Sequence, residues 1–166
     1  MTVDEPAVTS YLPTYDGCFV CGQTHATGLC IRFYAGEGGK VHARFTPNQN
    51  QTGYQNIVHG GIVSALLDEL MFWPISLENN LLCHTAEMTI RFRKSVYAGQ
   101  TYKGTAFPGK QIKGPLWEGK AQLEDADGKV CAEGTGRYFI MTIEQTHTFG
   151  AQMRFEPGDV SLFRPT

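Results

Sequence analysis

Apolar and polar residues alternate over 29–35 (LCIRFYA) and 40–46 (KVHARFT), with EGG at 37–39 between them. Period-two alternation interrupted by a glycine turn predicts a β-hairpin. Asn, Gln and Gly dominate 47–58, which predicts a loop. The period then changes. In HGGIVSALLDELMFW (59–73), Ile62, Val63, Ala65, Leu66, Leu67, Leu70, Met71, Phe72 and Trp73 lie nearly all round a helical wheel. This predicts one long helix buried on most sides, ended or kinked by Pro74. After a loop at 76–84, Ala86, Met88, Ile90 and Phe92 alternate with Glu87, Thr89, Arg91 and Arg93. Strands follow at 101–107, 115–124 and 129–143, divided by PGK (108–110) and DADGK (125–129). The predicted class is α+β, an antiparallel sheet wrapped around a single long central helix. Three parts are expected: an extended lead-in at 1–28, the folded domain at 29–143, and a tail at 144–166. The tail's scattered apolar residues (Phe149, Met153, Phe155, Leu162, Phe163) imply that it packs.

Composition narrows the function. The chain has 166 residues, 42% hydrophobic and 18% charged, with a net charge of -2. Such a chain folds as one domain and offers no basic footprint for nucleic acid or an anionic membrane. No apolar run is read as a membrane span, because the longest candidate, Ile62 to Ile75, contains Ser64, Asp68, Glu69 and Pro74. The opening MTVDEPAVTS carries acids where a signal peptide has bases. Five cysteines, an odd number, fit reduced thiols better than a disulfide framework. The expected location is the cytoplasm.

Candidate chemistry gathers on the helix. HGG (59–61) opens it. The first N–H groups of a helix lack internal partners and sit at the positive end of its dipole. Glycine lets a ligand oxygen approach them, which suits the carbonyl of an acyl transfer. Asp68 and Glu69 interrupt the apolar surface. Burying a carboxylate is costly unless it is paired or functional, and a partner such as Arg91 is one outlet. The two acids point about 100° apart, so they cannot share one role.

HGGIVSALLDE followed by TAEMTIRFRKSV resembles the PaaI-type hotdog-fold acyl-CoA thioesterases, and CFVCG…GLCIRF resembles the lead-in of a bacterial subgroup. The resemblance covers about residues 18–140. It implies a hotdog domain at 29–143 that hydrolyses an acyl-CoA to free acid and CoA. Asp68, nine residues after His59, would be nucleophile or general base. Gly60 would donate its N–H to the thioester carbonyl, and Thr85 would position water or Asp68. His59 and Gly61 would shape the substrate loop, His59 mainly as a structural residue. The family's Asn or Gln six residues before the His is Gly53 here, so Gln51, Gln55 or Asn56 would take that part, Gln51 as the substrate-binding choice. Strand parity sets Thr85 off the face that carries Met88, Ile90 and Phe92.

Arg91 and Arg93, and more weakly Lys94, Lys110, Lys113 and Arg137, are candidate contacts for the phosphates of CoA. Lys110 and Lys113 are read as bracketing a turn, and Phe72 and Trp73 as lining an acyl pocket. Cys18, Cys21, His25 and Cys30 follow C-x2-C-x3-H-x4-C, one residue short of a zinc knuckle, with Cys30 inside the first strand's alternation. No metal or cofactor is therefore expected. Cys131 reads as a core strand residue, and the neighbours Cys83 and His84 as a poor ligand pair. The expected partners are the acyl-CoA and a second copy of the chain, as a homodimer or a dimer of dimers. Two other readings are a non-catalytic acyl-CoA sensor and a hotdog dehydratase. The sensor lacks a DNA-binding segment, and the dehydratase needs a His–acid pair across the site.

Overall fold

The computed structural model describes residues 10–163. Residues 1–9 of the expected lead-in, on which the signal-peptide reading rests, and residues 164–166 of the tail lie outside the described residues. The strands in chain order are β1 (Ser10–Tyr11), β2 (Phe33–Ala35), β3 (Val41–Phe45), β4 (Thr52–Tyr54), β5 (Ile57–Val58), β6 (Cys83–Phe92), β7 (Tyr102–Lys113), β8 (Leu116–Glu124) and β9 (Val130–Ile140). Helix α1 (Gly60–Asn79) precedes β6, and helix α2 (Ile143–Gly150) follows β9. A seven-stranded sheet runs β1-β2-β3-β7-β8-β9-β6, and its pairs are all antiparallel. β4 and β5 form a separate small hairpin in the 47–58 loop.

The sheet wraps α1. Val63, Leu66, Leu67, Leu70, Met71, Trp73 and Ile75 of α1 are buried together with Phe33, Val41, Ala43, Ala106, Ala121, Leu123, Ala132 and Tyr138 of the strands. The helix approaches closely because the facing strands carry glycine. A Cβ on Gly119 would lie 2.9 Å from the Met71 carbonyl oxygen, and one on Gly104 would lie 2.5 Å from Leu70 Cδ1. By length and composition α1 is apolar enough to cross a membrane, contrary to the sequence reading, but half of it is buried against its own sheet.

Several boundaries differ from expectation. α1 passes through Pro74 and stops at Asn79, where Asn80 adopts the left-handed conformation. Proline removes one backbone donor, but Trp73, Pro74, Ile75 and Ser76 are all buried, and packing outweighs that loss. The 76–84 loop thereby shrinks to the residues between Asn79 and Cys83. β7 runs unbroken through Pro108, Gly109 and Lys110 instead of ending there. Pro108 falls where the β7–β8 register shifts, between Phe107 and Lys110, a position that needs no ladder N–H. Lys110 and Lys113 are therefore strand residues, and the turn lies at Gly114, with φ of 52°. β2 begins at Phe33, not residue 29, and Cys30 has φ of 53° outside the strand. β9 ends at Ile140, and a capping box on Thr142 and Gln145 starts α2, a second helix.

The lead-in and tail pack on each other over the far end of α1. Thr14 pairs with Arg154, Val160 N–H donates to the Tyr11 carbonyl, and Arg32 bonds Asp159 at 2.7 Å. Phe163 stacks on Trp73, with ring centroids 6.5 Å apart. Leu162 and Phe163 are buried.

Candidate active site

Asp68 sits in the middle of α1, and its Oδ1 is held from two strands. Thr85 Oγ1 of β6 donates to it at 2.9 Å. Tyr138 OH of β9 lies 3.0 Å from Oδ1 and 3.1 Å from the Asp68 backbone carbonyl. Both hydroxyls fix one carboxylate oxygen, and Oδ2 takes no hydrogen bond from a described residue. Tyr138 is fully buried. Burial, then the Asp68 charge, raises its phenol pKa, so it stays protonated and remains a donor.

Thr85 reaches Asp68 because of a β-bulge. Thr85 pairs with Tyr138, but Glu87 pairs with Arg137, so one extra residue sits in β6. A bulge reverses the side-chain alternation. Thr85 before it and Ile90 after it therefore both face the helix, which removes the parity conflict. Tyr138 was missed by the sequence reading. Its signal is the inward row of β9, where Ala132, Gly134 and Gly136 lead to one polar aromatic.

Asp68 and Thr85 open onto a cavity of about 480 Å³. Phe72 and Trp73 line it as expected, joined by Leu82, by Tyr15 of the lead-in, and by Phe149 and Met153 of the tail. The wall is largely apolar, with the acid at its edge.

Glu69, one residue on, meets different partners. It is enclosed by protein except where it meets the same cavity. Cys18 Sγ lies 3.2 Å from Glu69 Oε2 in a thiol–carboxyl hydrogen bond. Burial, then the Cys18 charge, pushes the Glu69 carboxyl well above its usual range. The Cys21 thiol and the backbone N–H groups of Cys21 and Val20 hold Cys18 down at about 5, against burial, and Cys21 is correspondingly raised. Arg91 is not the partner of either acid. His25 and Cys30 stand apart from the pair: His25 packs edge-on against Phe19, and the Cys30 thiol is exposed. Cys131 is buried in β9, as expected, and Cys83 is buried against Ser76.

The helix start is a separate place. His59 is the N-cap, and its Nδ1 accepts from Gly61 N–H at 2.9 Å, which assigns it a structural part. Gly61 N–H is spent on that cap, while Gly60 N–H donates to no described group. His59, Gly60, Gly53 and Phe92 line a second hollow of about 280 Å³. Gln51 is buried behind it. Its Oε1 accepts from Asn48 N–H and its carbonyl from His59 N–H, so it braces the loop.

Arg91 lies on the outer face of the sheet, in a hollow with Lys120 and Glu133. Arg93 pairs with Glu133, Lys94 with Asp125, and Arg137 with Glu87. None of these bases lines the Asp68 cavity.

No protein-family model matches the chain, and no curated protein does either. Solved structures do match its fold. The E. coli PaaI protein of the phenylacetic acid degradation operon superposes with a TM-score of 0.63 at 18% identity, covering 72% of this chain and 85% of that one. A Streptococcus mutans protein bound to acetyl-CoA gives 0.60 at 17% identity, covering 67% and 88%. A thioesterase-superfamily protein gives 0.67 at 21% identity; it is longer, and the match covers 75% of this chain but 60% of that one. The chain has the hotdog fold of these structures.

Proposed function

We propose that this protein hydrolyses an acyl-CoA thioester, with Asp68 as the catalytic carboxylate. The observation that carries this reading is the asymmetry at Asp68: Oδ1 is fixed by Thr85 and Tyr138, and Oδ2 is free beside an apolar cavity. A carboxylate locked this way can attack a thioester carbonyl or take a proton from water. Phe72, Trp73, Leu82 and Met153 offer the acyl chain an apolar surface. The likeness to thioesterase-superfamily structures, one of them bound to acetyl-CoA, supports the same substrate class.

The carbonyl needs a donor, and the free Gly60 N–H is the candidate. Gly60 and Asp68 are eight residues apart, about 12 Å along a helix axis. Asp68 of one chain therefore acts on a carbonyl that accepts from Gly60 of the partner subunit, in a homodimer with two shared sites. The outer edge of β6 supports this, since among the described residues β6 pairs only with β9 and is exposed along most of its length, Met88 and Phe92 included. Edges of that kind invite pairing.

The test is a panel of acyl-CoAs from acetyl to long-chain and aryl, followed by release of free CoA thiol. Wild type is expected to turn over at least one member, and Asp68→Asn none at a comparable rate. Tight binding without any thiol release overturns hydrolysis in favour of an acyl-CoA sensor.

A further inference from the structure

The chemistry proposed for Asp68 makes no use of the Cys18–Cys21–Glu69 cluster in the same cavity. Its donor atoms, two thiol sulfurs and a carboxylate oxygen, all lie within 4.8 Å of one another. Two ligands of one tetrahedral zinc stand about 3.5–3.8 Å apart when Zn–S is about 2.3 Å. Only small side-chain movements separate the cluster from that geometry.

Three further features make it a built site. The turn C-F-V-C-G directs Val20 N–H and Cys21 N–H at Cys18 Sγ, at 3.3 and 3.4 Å. Such donors stabilise a thiolate, the form that binds metal. The turn admits only glycine at its end, since a Cβ on Gly22 would lie 2.5 Å from the Asp16 carbonyl and 2.6 Å from that of Cys18. Finally, Glu69 makes no ion pair with a described residue.

We propose that Cys18, Cys21 and Glu69 bind one zinc ion, with its fourth position opening into the Asp68 cavity. Binding replaces the Cys18–Glu69 hydrogen bond, and the protons still carried by the two sulfurs and the carboxyl leave to solvent as the cation arrives. Three protein ligands with one exchangeable position is the pattern of an open zinc site. All three ligands line the cavity, so the fourth takes water or an oxygen of a bound molecule. The expectation of no metal rested on His25 and Cys30, residues that the fold turns away from Cys18. The third ligand comes instead from the helix, 51 positions further along the chain.

The experiment is anaerobic titration of the reduced, chelator-treated full-length protein with cobalt, then zinc. Thiolate-to-cobalt charge-transfer absorption is expected to saturate at one ion per chain and to vanish on adding zinc, which binds such sites more tightly. Cys18→Ser and Cys21→Ser should abolish the band. Glu69→Gln should weaken binding by at least about tenfold, and His25→Ala and Cys30→Ser should leave it unchanged. A readout on wild type alone guards against misfolded variants: stoichiometric zinc should protect the partly exposed Cys18 thiol from alkylation, read by peptide mapping, and leave the exposed Cys30 reactive. The proposal fails if reduced wild type gives no charge-transfer band and no thiol protection. It fails equally if His25→Ala abolishes binding while Glu69→Gln does not. Neither measurement reads hydrolysis, so the zinc site and the thioesterase reading stand or fall separately.

Discussion

Asp68 and Glu69 are neighbours in sequence with opposite surroundings. Asp68 meets two hydroxyl donors, and Glu69 meets two sulfurs. Asp68→Asn keeps the shape and removes the charge, and hydrolysis is expected to fall at least about a hundredfold, the scale of a lost acid–base group. Glu69→Gln should cost much less in turnover. Steady-state rates for the two variants decide between them: loss in Glu69→Gln with activity kept in Asp68→Asn would move the assignment by one position. Tyr138→Phe removes one bond to Oδ1 and is expected to cost on the order of tenfold, as a hydrogen bond to a charged group does. His42 offers a pH test. It is buried on β3, with its Nδ1 3.1 Å from Thr105 Oγ1. Burial first, then Lys103 and Lys40, lower its pKa below the ordinary 6.5. As pH falls, the unfolded chain therefore takes the proton before the folded one does. The stability contributed by neutral His42 is present above about pH 6.5 and lost below it. Urea midpoints measured from about pH 8 to about pH 5 should drop less steeply in His42→Gln than in wild type; equal slopes would remove His42 from the account.

At the scale of elements, the central helix and the strand meander were legible because each rests on local pattern, whereas the Asp68–Thr85 pair was implied by the family resemblance and ran against strand parity. HGG and the acid nine residues on share one helix, and Thr85 opens the next strand. What escaped depends on distant partners. Tyr138 lies 70 residues from Asp68, and Cys18 lies 51 from Glu69. No periodicity encodes either contact. Pro74 and PGK were misread for a related reason, since proline rules describe exposed, isolated segments. Here burial holds α1 through Pro74, and a register shift absorbs Pro108. The same dependence on tertiary fit makes Gly119 testable. Its missing Cβ would press on backbone, the Met71 carbonyl at 2.9 Å, which cannot rotate away as a side-chain tip can. Gly119→Ala is expected to destabilise by about 1–3 kcal/mol, the range for overpacking a core. An unchanged denaturation midpoint would mean that α1 shifts freely on the sheet.

On the scale of the whole molecule, the proposed donor and the proposed catalytic carboxylate stand apart in each chain. Gly60 lies in the small hollow at the helix start, and Asp68 in the large cavity beyond it. A donor and a nucleophile serving one carbonyl must each come within roughly 3 Å of it or of its attacking water. Eight helical residues, about 12 Å, forbid this within one chain. Two antiparallel helices related by a twofold axis permit it, because the start of one then faces the middle of the other. The prediction is complementation. Gly60→Pro removes the N–H at the first helical position, where proline is tolerated, and Asp68→Ala removes the acid. Each variant alone should be inactive. A mixed dimer gathers both defects in one site and neither in the other. Co-refolding equal amounts gives about half mixed dimers by random pairing, so about a quarter of all sites should be intact and activity should recover to that fraction of wild type. Differently tagged chains allow the mixed species to be isolated. If isolated mixed dimers stay inactive while each variant is folded by circular dichroism, the site is not shared between chains, and a donor other than Gly60 must serve the carbonyl.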